Sequence, residues 1–335
     1  MWTMAPKTET NNGNAAETAE VTMNGPSFSG TRSAVVNGNG QESATMNDQD
    51  ENNIGESNVR KLRIMLLGCE DRVPYGPADW TAEMFLGLLR LTVERYYSSE
   101  RWELTMDYVS IQEKEDNYPK DGYGAYDGVI ISGSYNGAYE DLPWIGRLKE
   151  EIQGVLLPND IPTLGVCFGH QVIAHSFDDG EAIVCPAGSQ GGGRNMNCTD
   201  AGKGLFGRDT FPMVYTHGDM VSKIPETTAI SLGGNDKVPI QAAAYYSTKG
   251  SSDGGLSDTK KTTVVTFQAH PEYVSDPSLK TIETLLNLMT EMGKLTPEAV
   301  ENEMEALKSS WIDIEEGSLN AMKMTGIALG WFPTE

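Results

Sequence analysis

The chain of 335 residues is poor in cysteine and in positive charge. Its four cysteines form no CxxC pair and follow no regular spacing, which argues against a zinc site and against a disulfide framework. Unbridged thiols suit a reducing compartment, so we expect a cytosolic protein. The 25 lysines and arginines are outnumbered by 48 aspartates and glutamates, and the net charge is −23. Because such a field repels phosphate backbones, we expect no nucleic acid partner.

Apolar runs of membrane-spanning length are missing as well, so we expect no membrane partner. Residues 1–58 are rich in Asn, Thr, Ser, Gly and Ala, and carry eight acidic against two basic residues without an apolar period. That composition lacks the arginines of an organelle transit peptide and the apolar core of a secretory signal. It cannot bury enough apolar surface to offset its ordering entropy, so we predict a disordered acidic tail over 1–58.

Strand and helix signals alternate from residue 59 onward. Four apolar runs have the length of buried strands: 62–67, 102–109, 127–132 and 162–166. Helical segments lie between them at 80–97 and 143–155. This alternation predicts an α/β fold with a doubly wound, mostly parallel sheet and helices on both faces. Ligands of such sheets gather at the carboxyl ends of the strands.

The second half of the chain has a different pattern. Shorter runs with glycine-rich breaks over 183–268 indicate added strands or hairpins, and the polar segment 247–261 indicates an exposed insertion. From residue 277 to 335 the pattern is helical. We therefore predict a folded domain over 59–276 and a C-terminal helical extension over 277–335 that packs on it.

The segment Gly165-Val166-Cys167-Phe168-Gly169 places a cysteine between two glycines, after a strand and before a helix. A sharp strand-to-helix turn needs small residues on both sides and exposes the side chain at its apex, as in a nucleophile elbow. The apex also lies at a helix N-terminus, which favours the reactive thiolate. Taken alone, the segment fits a packed structural cysteine equally well.

A nucleophilic cysteine needs a base that a third group orients. His270 follows the strand 263–268, and Glu272 lies two residues further, on the same face of an extended segment. His170, three residues after the cysteine, is better suited to packing or capping, and His175 reads as an ordinary helix residue. Cys167, His270 and Glu272 are therefore the candidate triad.

Acyl transfer also needs hydrogen-bond donors for the developing oxyanion. The backbone N–H of Phe168 follows the nucleophile directly, and a second donor is available from the turn at Gly133 and Ser134, which ends another predicted strand. A plain strand-to-loop turn is the alternative interpretation of the latter. Its place at the carboxyl edge of the sheet favours the oxyanion role.

Two further segments join these motifs: Ile130-Ile131-Ser132-Gly133-Ser134, and Thr216-His217-Gly218-Asp219-Met220-Val221. Together with Gly165-Val166-Cys167-Phe168-Gly169-His170-Gln171 and His270-Pro271-Glu272, the chain resembles the class I (triad) glutamine amidotransferase family over about 62–276. It is closest in pattern to stand-alone γ-glutamyl peptidases and to the glutaminase domains of GMP synthases. The resemblance implies a single flavodoxin-like domain.

The resemblance also implies roles for individual residues. Cys167 would be the nucleophile, His270 the acid and base, and Glu272 the residue that orients it. Gln171 and the backbone of His217, Gly218 and Asp219 would hold the glutamyl group. The implied reaction is attack on a γ-glutamyl carbonyl, a thioester intermediate, release of an amine or ammonia, and hydrolysis, with no cofactor and no metal.

The chain departs from the family's pattern at one turn. Synthetase-coupled members usually carry Gly-Gly-Pro where this chain has Gly133-Ser134-Tyr135, and the stand-alone branch often has Gly-Ser-Pro. Tyr135 in place of proline bears on how the second oxyanion donor is presented. The helical segment after Asp276 does not suit a synthetase domain, so we expect no ammonia channel within the chain.

Three hypotheses follow. The first is a hydrolase that acts on glutamine or on a γ-glutamyl compound such as a glutathione conjugate. The second is a glutaminase subunit that supplies ammonia to a separate synthetase. The third is a thiol-sensing or binding protein on the same fold, which the His270–Glu272 pair argues against. The amine leaving group depends on pocket segments such as 186–194, where we interpret Arg194 as an exposed loop arginine in preference to a carboxylate ligand.

Overall fold

A ten-stranded sheet forms the centre of the molecule in the computed structural model. The structure describes residues 29–36, 59–72, 76–113, 117–247, 249, 261–274 and 276–334. Its strands are β1 Ser29–Val36, β2 Val59–Gly68, β3 Arg101–Ser110, β4 Gly128–Ile131, β5 Thr163–Val166, β6 Glu181–Val184, β7 Gln190–Cys198, β8 Thr210–His217, β9 Asp219–Lys223, β10 Ala229–Gly234, β11 Ala242–Tyr246 and β12 Thr262–Phe267. Its helices are α1 Ala78–Tyr96, α2 Pro143–Glu151 with a π-helical turn over Ile152–Leu156, α3 Phe168–His175, α4 Asp200–Phe206, α5 Asp276–Glu291, α6 Pro297–Ser309 and α7 Trp311–Leu329.

The sheet has a parallel centre and antiparallel edges. The strand order is β1-β3-β2-β4-β5-β12-β11-β10-β7-β8, and the five strands from β3 to β12 pair in parallel. Their order is the flavodoxin-like 2-1-3-4-5. The carboxyl ends of β4, β5 and β12 are neighbours, because Ile131 pairs with Gly165 and Val166 pairs with Phe267. The strands β6 and β9 form a separate antiparallel pair.

Helices cover both faces of this sheet. Along β2, Ile64 and Leu66 pack into one apolar cluster while Met65 and Leu67 pack into another, because successive side chains of a strand point to opposite faces. The first cluster is closed by α1, α4 and α7, and the second by α2 and α3. Burial on both faces explains why the central strands are continuous apolar runs. In the described residues, no helix has the length and apolar content needed to cross a membrane.

The prediction of disorder over 1–58 is wrong for residues 29–36. They form β1, which pairs antiparallel with β3 from Ser29 opposite Val109 to Val36 opposite Trp102. The Thr31 hydroxyl donates a hydrogen bond to Asp107 Oδ1 over 2.6 Å. The edge of β3 supplies the backbone hydrogen-bond partners of β1. Because β3 is distant in the sequence, the composition of residues 29–36 does not indicate that they form a strand. The rest of the predicted tail, like most of the predicted insertion at 247–261, lies outside the described residues.

The C-terminal helices share the core of the domain. Leu319 and Met322 of α7 are buried in the same cluster as α1, and Trp331 follows them beneath the sheet. The Trp331 indole N–H donates to the Asp127 carbonyl oxygen over 3.0 Å, and a Cβ built on Gly128 would lie 2.3 Å from that nitrogen. Glycine at 128 therefore makes room for the indole. With α7 fixed in this way, α5 and α6 pack beside β7 and β8.

Candidate active site

Cys167 lies at the apex of a strained turn between β5 and α3. Its backbone has φ 53° and ψ −104°, a region that residues other than glycine rarely adopt. The Cys167 N–H donates to the Phe267 carbonyl oxygen over 2.7 Å, and the Gly169 N–H donates to that of Ser132 over 3.1 Å. Backbone bonds to both neighbouring strands thus fix the turn. The local geometry is the strand–turn–helix elbow that the sequence predicts.

The two glycines of the elbow have no room for a side chain. A Cβ on Gly169 would lie 2.2 Å from the Ile131 carbonyl oxygen of β4, and a Cβ on Gly165 would lie 2.9 Å from the Gly169 carbonyl carbon. Both contacts are with backbone atoms that cannot rotate away. The close packing of the helix against the strands therefore requires glycine at both positions.

His270 and Glu272 form a buried pair at the end of β12. The imidazole Nδ1 donates to Glu272 Oε1 over 2.7 Å, and the ring stacks on Tyr273 with centroids 4.7 Å apart. The His270 N–H donates to the Val214 carbonyl oxygen over 2.8 Å, which ties the segment to β8. Burial alone would lower the pKa of His270, but the Glu272 carboxylate and the Cys167 sulfur outweigh it and raise that pKa to about 10.

The imidazole, the thiol and the turn after β4 meet at one point. A Cβ on Gly133 would lie 3.2 Å from His270 Cε1, 3.5 Å from Cys167 Cβ and 4.0 Å from its Sγ. With Nδ1 bonded to Glu272, the Nε2 of His270 is the nitrogen left for proton transfer, and it has no conventional hydrogen-bond partner among the described residues. The arrangement can move a proton between the imidazole and a group held at the thiol.

Backbone donors surround the same point. The Phe168 N–H, the first of α3, has no intrahelical acceptor. No described residue accepts a hydrogen bond from the N–H of Gly133 or of Ser134. The side chain of Phe168 points away and packs on Trp144, with ring centroids 5.3 Å apart, so only its backbone is available to a ligand. These groups can stabilise negative charge that develops on a bound carbonyl oxygen.

Two of the predicted glutamyl-holding residues, Gln171 and His217, bond the backbone carbonyl of a third, Asp219. Gln171 Nε2 donates to the Asp219 carbonyl oxygen over 3.2 Å and to Gln268 Oε1 over 3.1 Å. His217 Nδ1 donates to the same Asp219 oxygen over 2.8 Å. Burial lowers the pKa of His217 to about 4, so its imidazole is neutral at pH 7. Burial also raises the pKa of Asp219, against the opposing effects of Tyr139, whose hydroxyl bonds its carboxylate, and of Lys294.

Nine of the ten predicted site residues line a single cavity, and Phe168 is not among its lining residues. The sequence interpretation missed a second wall of this cavity, formed by apolar side chains and one cation: Met84, Leu285, Leu288, Met289, Met292 and Lys294. Most of them belong to α5 and the connection that follows it. Their helical spacing resembles that of a core stripe, so no local signal marked them as pocket residues.

Three other residues from the sequence interpretation lie apart from the cavity lining. His170 is buried, with Nδ1 2.7 Å from Thr266 Oγ1 and Nε2 3.2 Å from the Ile240 carbonyl oxygen, in a packing role as predicted. The Nδ1 of His175 accepts from the Ala182 N–H over 3.1 Å. Arg194 is not an exposed loop residue: it lies in β7, because residues 190–198 pair with β8, and its guanidinium forms a two-pronged ion pair with Glu303 of α6.

The four cysteines are buried and free of disulfides. Among the described residues, no group of three or more His, Cys, Asp or Glu side chains is arranged to hold a metal ion.

Comparison with known proteins identifies the kind of domain. Residues 92–286 match the family model described as glutamine amidotransferase class-I. A Schizosaccharomyces pombe protein described as glutamine amidotransferase-like is 29% identical over 232 residues, which cover 68% of this chain and 83% of that protein. Gamma-glutamyl peptidase 5 of Arabidopsis thaliana is 29% identical over 171 residues, 49% of this chain and 60% of the peptidase.

A glutamine-hydrolyzing GMP synthase of Ligilactobacillus salivarius is 28% identical over 120 residues, 35% of this chain and 21% of the synthase. Among solved structures, a glutamine amidotransferase from Thermotoga maritima superposes with a TM-score of 0.55 at 18% identity, covering 79% of this chain and 98% of that one. This last likeness is one of fold.

Proposed function

The chain belongs to the class-I glutamine amidotransferase family, and from this premise we propose that it hydrolyses a γ-glutamyl amide bond with Cys167 as the nucleophile. One observation carries the proposal. The strained elbow thiol, the buried His270–Glu272 pair and the donor-rich turn at Gly133 meet within a few ångströms in one cavity. These are the three components that acyl transfer through a thioester requires.

In the proposed reaction, the Cys167 sulfur attacks the γ-carbonyl carbon while the imidazole of His270 holds a proton. The carbonyl oxygen becomes an oxyanion that accepts hydrogen bonds from the N–H of Phe168 and from the turn at Gly133 and Ser134. As the C–N bond breaks, His270 Nε2 gives its proton to the departing amine, and a γ-glutamyl thioester remains. Glu272 holds the ring in the orientation and tautomer that this transfer needs.

Hydrolysis of the thioester runs the same steps with water in place of the amine. His270, now neutral, takes a proton from water as the water oxygen attacks the carbonyl carbon. The C–S bond breaks, glutamate leaves, and Cys167 and His270 return to their starting state. No cofactor takes part in either half of the proposed cycle.

Glutamine and γ-glutamyl compounds such as glutathione conjugates are the proposed substrates. The name of the Arabidopsis relative, a gamma-glutamyl peptidase, supports the second class. Four buried thiols without a disulfide support a reducing site of action, the cytosol. The similarity to GMP synthases described as glutamine-hydrolyzing favours, as a second candidate, a glutaminase subunit that passes ammonia to a separate synthetase.

Glutamate release from a panel of glutamine, glutathione and S-alkyl glutathione conjugates tests the proposal. Cys167→Ser should abolish release, whereas Cys185→Ser, which alters another buried thiol outside the cavity lining, should retain it. Mass spectrometry of the wild type after rapid acid quenching should show a γ-glutamyl adduct on Cys167. An absence of turnover, together with resistance of Cys167 to an electrophilic glutamine analogue, contradicts the proposal. Activity that appears only with a co-purified partner favours the second candidate.

A further inference from the structure

Lys294 and Asp219 place opposite charges on the cavity without forming an ion pair. Asp219 accepts from the Tyr139 hydroxyl, and Lys294 acts on it only through its field. The Lys294 Nζ lies 5.8 Å from the centroid of the Tyr135 ring and 3.4 Å from the place where a Cβ on Gly218 would lie. Among the described residues that line the cavity, Lys294 is the one lysine or arginine.

A neutral acceptor stands beside this pair of charges. His217 lines the same cavity and is only 3% exposed. Its Nδ1 donates to the Asp219 carbonyl, so its Nε2 is an acceptor, and this nitrogen is buried with no partner among the described residues. A buried acceptor without a donor costs about 1–3 kcal/mol, which a bound ligand with N–H groups would recover.

We propose that Lys294, which lies outside the segment 216–221 that the family resemblance assigns to the glutamyl group, is a specificity residue that binds the α-carboxylate of that group. Asp219 and His217 Nε2 would then face its α-ammonium. The inference rests on the proposed function, because it names the head group that the same cavity takes. An α-amino acid carries an ammonium and a carboxylate on one carbon. The positive charge of Lys294, the negative charge of Asp219 and the neutral acceptor of His217 complement these two groups. Lys294 is itself exposed, so water moderates its attraction for a carboxylate, and the expected effect is that of a single charge-assisted hydrogen bond.

Three chromogenic anilides separate the two charges of the head group: γ-glutamyl, glutaryl without the ammonium, and 4-aminobutyryl without the carboxylate. Lys294→Met should raise KM for the γ-glutamyl and glutaryl anilides about tenfold, the scale of one charge-assisted hydrogen bond, and leave the 4-aminobutyryl anilide unchanged. Lys294→Arg should restore most of the loss. Lys308→Met, at an exposed lysine of α6, is the matched control. Equal effects on all three anilides, or none, would overturn the assignment.

Calorimetric binding of L-glutamate keeps this test separate from turnover. Against the Cys167→Ser background, adding Lys294→Met should weaken glutamate binding about tenfold. Unchanged binding overturns the inference even if the wild type is active. Weakened binding supports it even if no tested amide is hydrolysed, an outcome that counts against the proposed reaction alone.

A different set of contacts carries a second inference, about the turn after β4. Glu70 follows β2, is 2% exposed, and accepts the Tyr135 N–H at Oε2 over 3.0 Å. Arg72 binds the same carboxylate through Nε and Nη2, each over 2.7 Å, and its guanidinium lies 4.7 Å from the centroid of the Tyr135 ring. Arg72 also donates to Asn136 Oδ1 over 3.1 Å.

We infer that Glu70 is a positioning residue for the oxyanion turn, acting through the N–H of Tyr135. A proline at this position would have no N–H to donate, so tyrosine permits the attachment. A carboxylate fixed by a bidentate arginine is a rigid acceptor. It holds Tyr135 one residue beyond the two N–H groups of Gly133 and Ser134 that the proposed mechanism uses.

A transition-state mimic distinguishes positioning from general stability. The half-aldehyde of glutaric acid, which lacks the amine that would cyclise a γ-aldehyde of glutamate, forms a hemithioacetal whose oxygen occupies the oxyanion position, whereas L-glutamate binding leaves Cys167 unmodified. Glu70→Gln should weaken aldehyde inhibition and lower kcat by about tenfold, less than the loss of a whole oxyanion donor, with glutamate affinity retained. Tyr135→Pro should act in the same direction. Glu103→Gln, at an exposed carboxylate of β3, is the control. A Glu70→Gln variant that binds aldehyde like the wild type, or loses both ligands equally, overturns the inference.

Discussion

The two turns that flank the proposed reaction centre are held by different forces. The elbow after β5 is fixed by backbone hydrogen bonds to both neighbouring strands and by glycines that permit close packing. The turn after β4 is fixed by side chains: the Glu70 carboxylate binds the Tyr135 N–H, and Glu140 Oε1 binds the Gly137 N–H over 2.8 Å. One turn is held by the backbone of the core. The other is a loop that side chains attach at several points and that exposes Tyr135 and Tyr139.

Because the two turns are held differently, we expect mutations in them to have different effects. The elbow is bonded to the backbone of both neighbouring strands, so a substitution that shifts it also displaces strands of the central sheet. The attachments of the β4 turn are side-chain hydrogen bonds, each worth about 1 kcal/mol, and their main acceptor is the Glu70 carboxylate, which is buried and paired with Arg72. We therefore expect mutations at the elbow to act on stability, and mutations at the turn to act on activity with little effect on folding.

Alanine at the elbow glycine should have the largest effect of all. In Gly169→Ala the new Cβ would lie 2.2 Å from the Ile131 carbonyl oxygen, so α3 must move away from β4. We expect a loss of about 3 kcal/mol in the free energy of unfolding, or failure to fold. Urea denaturation of the purified protein measures it.

Gly137→Ala is the matched substitution in the other turn. Its new Cβ would lie 2.7 Å from the Tyr139 ring, an exposed side chain that can rotate away. We expect a loss below about 1 kcal/mol. Equal losses at the two glycines would remove the distinction between a core turn and an attached turn.

Glu272→Gln should reduce turnover without unfolding the protein. The substitution keeps a hydrogen-bond acceptor for His270 Nδ1 but removes the negative charge that favours the imidazolium. We expect kcat to fall about 10²-fold and the pKa of His270, raised by Glu272 and Cys167 to about 10, to move down. NMR titration of the imidazole and a pH profile of kcat measure both. An unchanged titration would contradict the electrostatic role of Glu272.

The sequence identifies the elbow side of the site better than the turn side. Two glycines around Cys167 and the His270–Glu272 spacing are local patterns, and the parallel register brings them together because β5 and β12 are neighbours. The doubly wound fold is also predicted from local patterns. Each central strand buries both faces, so it appears in the sequence as a continuous apolar run between helices. Site roles for these residues remain predictions that the substitutions above test.

The missed features depend on partners far away in the chain. β1 has the composition of a disordered tail and is ordered by the edge of β3, more than sixty residues later. Arg194 reads as a loop residue until β7 pairs with β8 and Glu303 of α6 comes beside it. Lys294 lies beyond the matched family segment, and Glu70 binds a backbone N–H, an attachment that leaves no sequence motif.

Acid should lower the free energy of unfolding through His170, which lies in the helix that follows the elbow. Burial lowers the pKa of His170, a residue of α3 that contacts Thr266 of β12, to about 4. Between about pH 6.5 and 4 the unfolded chain therefore binds a proton that the folded chain does not. The contribution of His170 to the free energy of unfolding is therefore fully present above about pH 6.5. It falls by about 2 kcal/mol between pH 7 and 5. His217, with its pKa also lowered to about 4, adds to the slope, whereas His270 has the opposite sign, because its pKa is raised and its contribution is lost only as pH rises towards 10.

His170→Gln removes one of these protons while offering groups for the bonds to Thr266 and Ile240. The difference in unfolding free energy between pH 7 and 5, measured by urea denaturation, should shrink by about 2 kcal/mol relative to the wild type. A slope that stays the same would assign the acid sensitivity to other groups.

The smallest effect should come from one attachment of the β4 turn. Ser134 Oγ accepts from the Asn136 N–H over 3.2 Å, and Gln112 Nε2 approaches it at 3.4 Å. Ser134→Ala removes this oxygen but keeps the backbone N–H that the proposed mechanism uses. Because the Glu70–Tyr135 bond still holds the turn, we expect kcat/KM to fall only about threefold and the unfolding free energy to change by less than about 0.5 kcal/mol. In the double variant Ser134→Ala/Glu70→Gln, the fold loss in kcat/KM should exceed the product of the two single losses, because neither bond is then left to hold the turn. A purely multiplicative result would mean that the two attachments act independently.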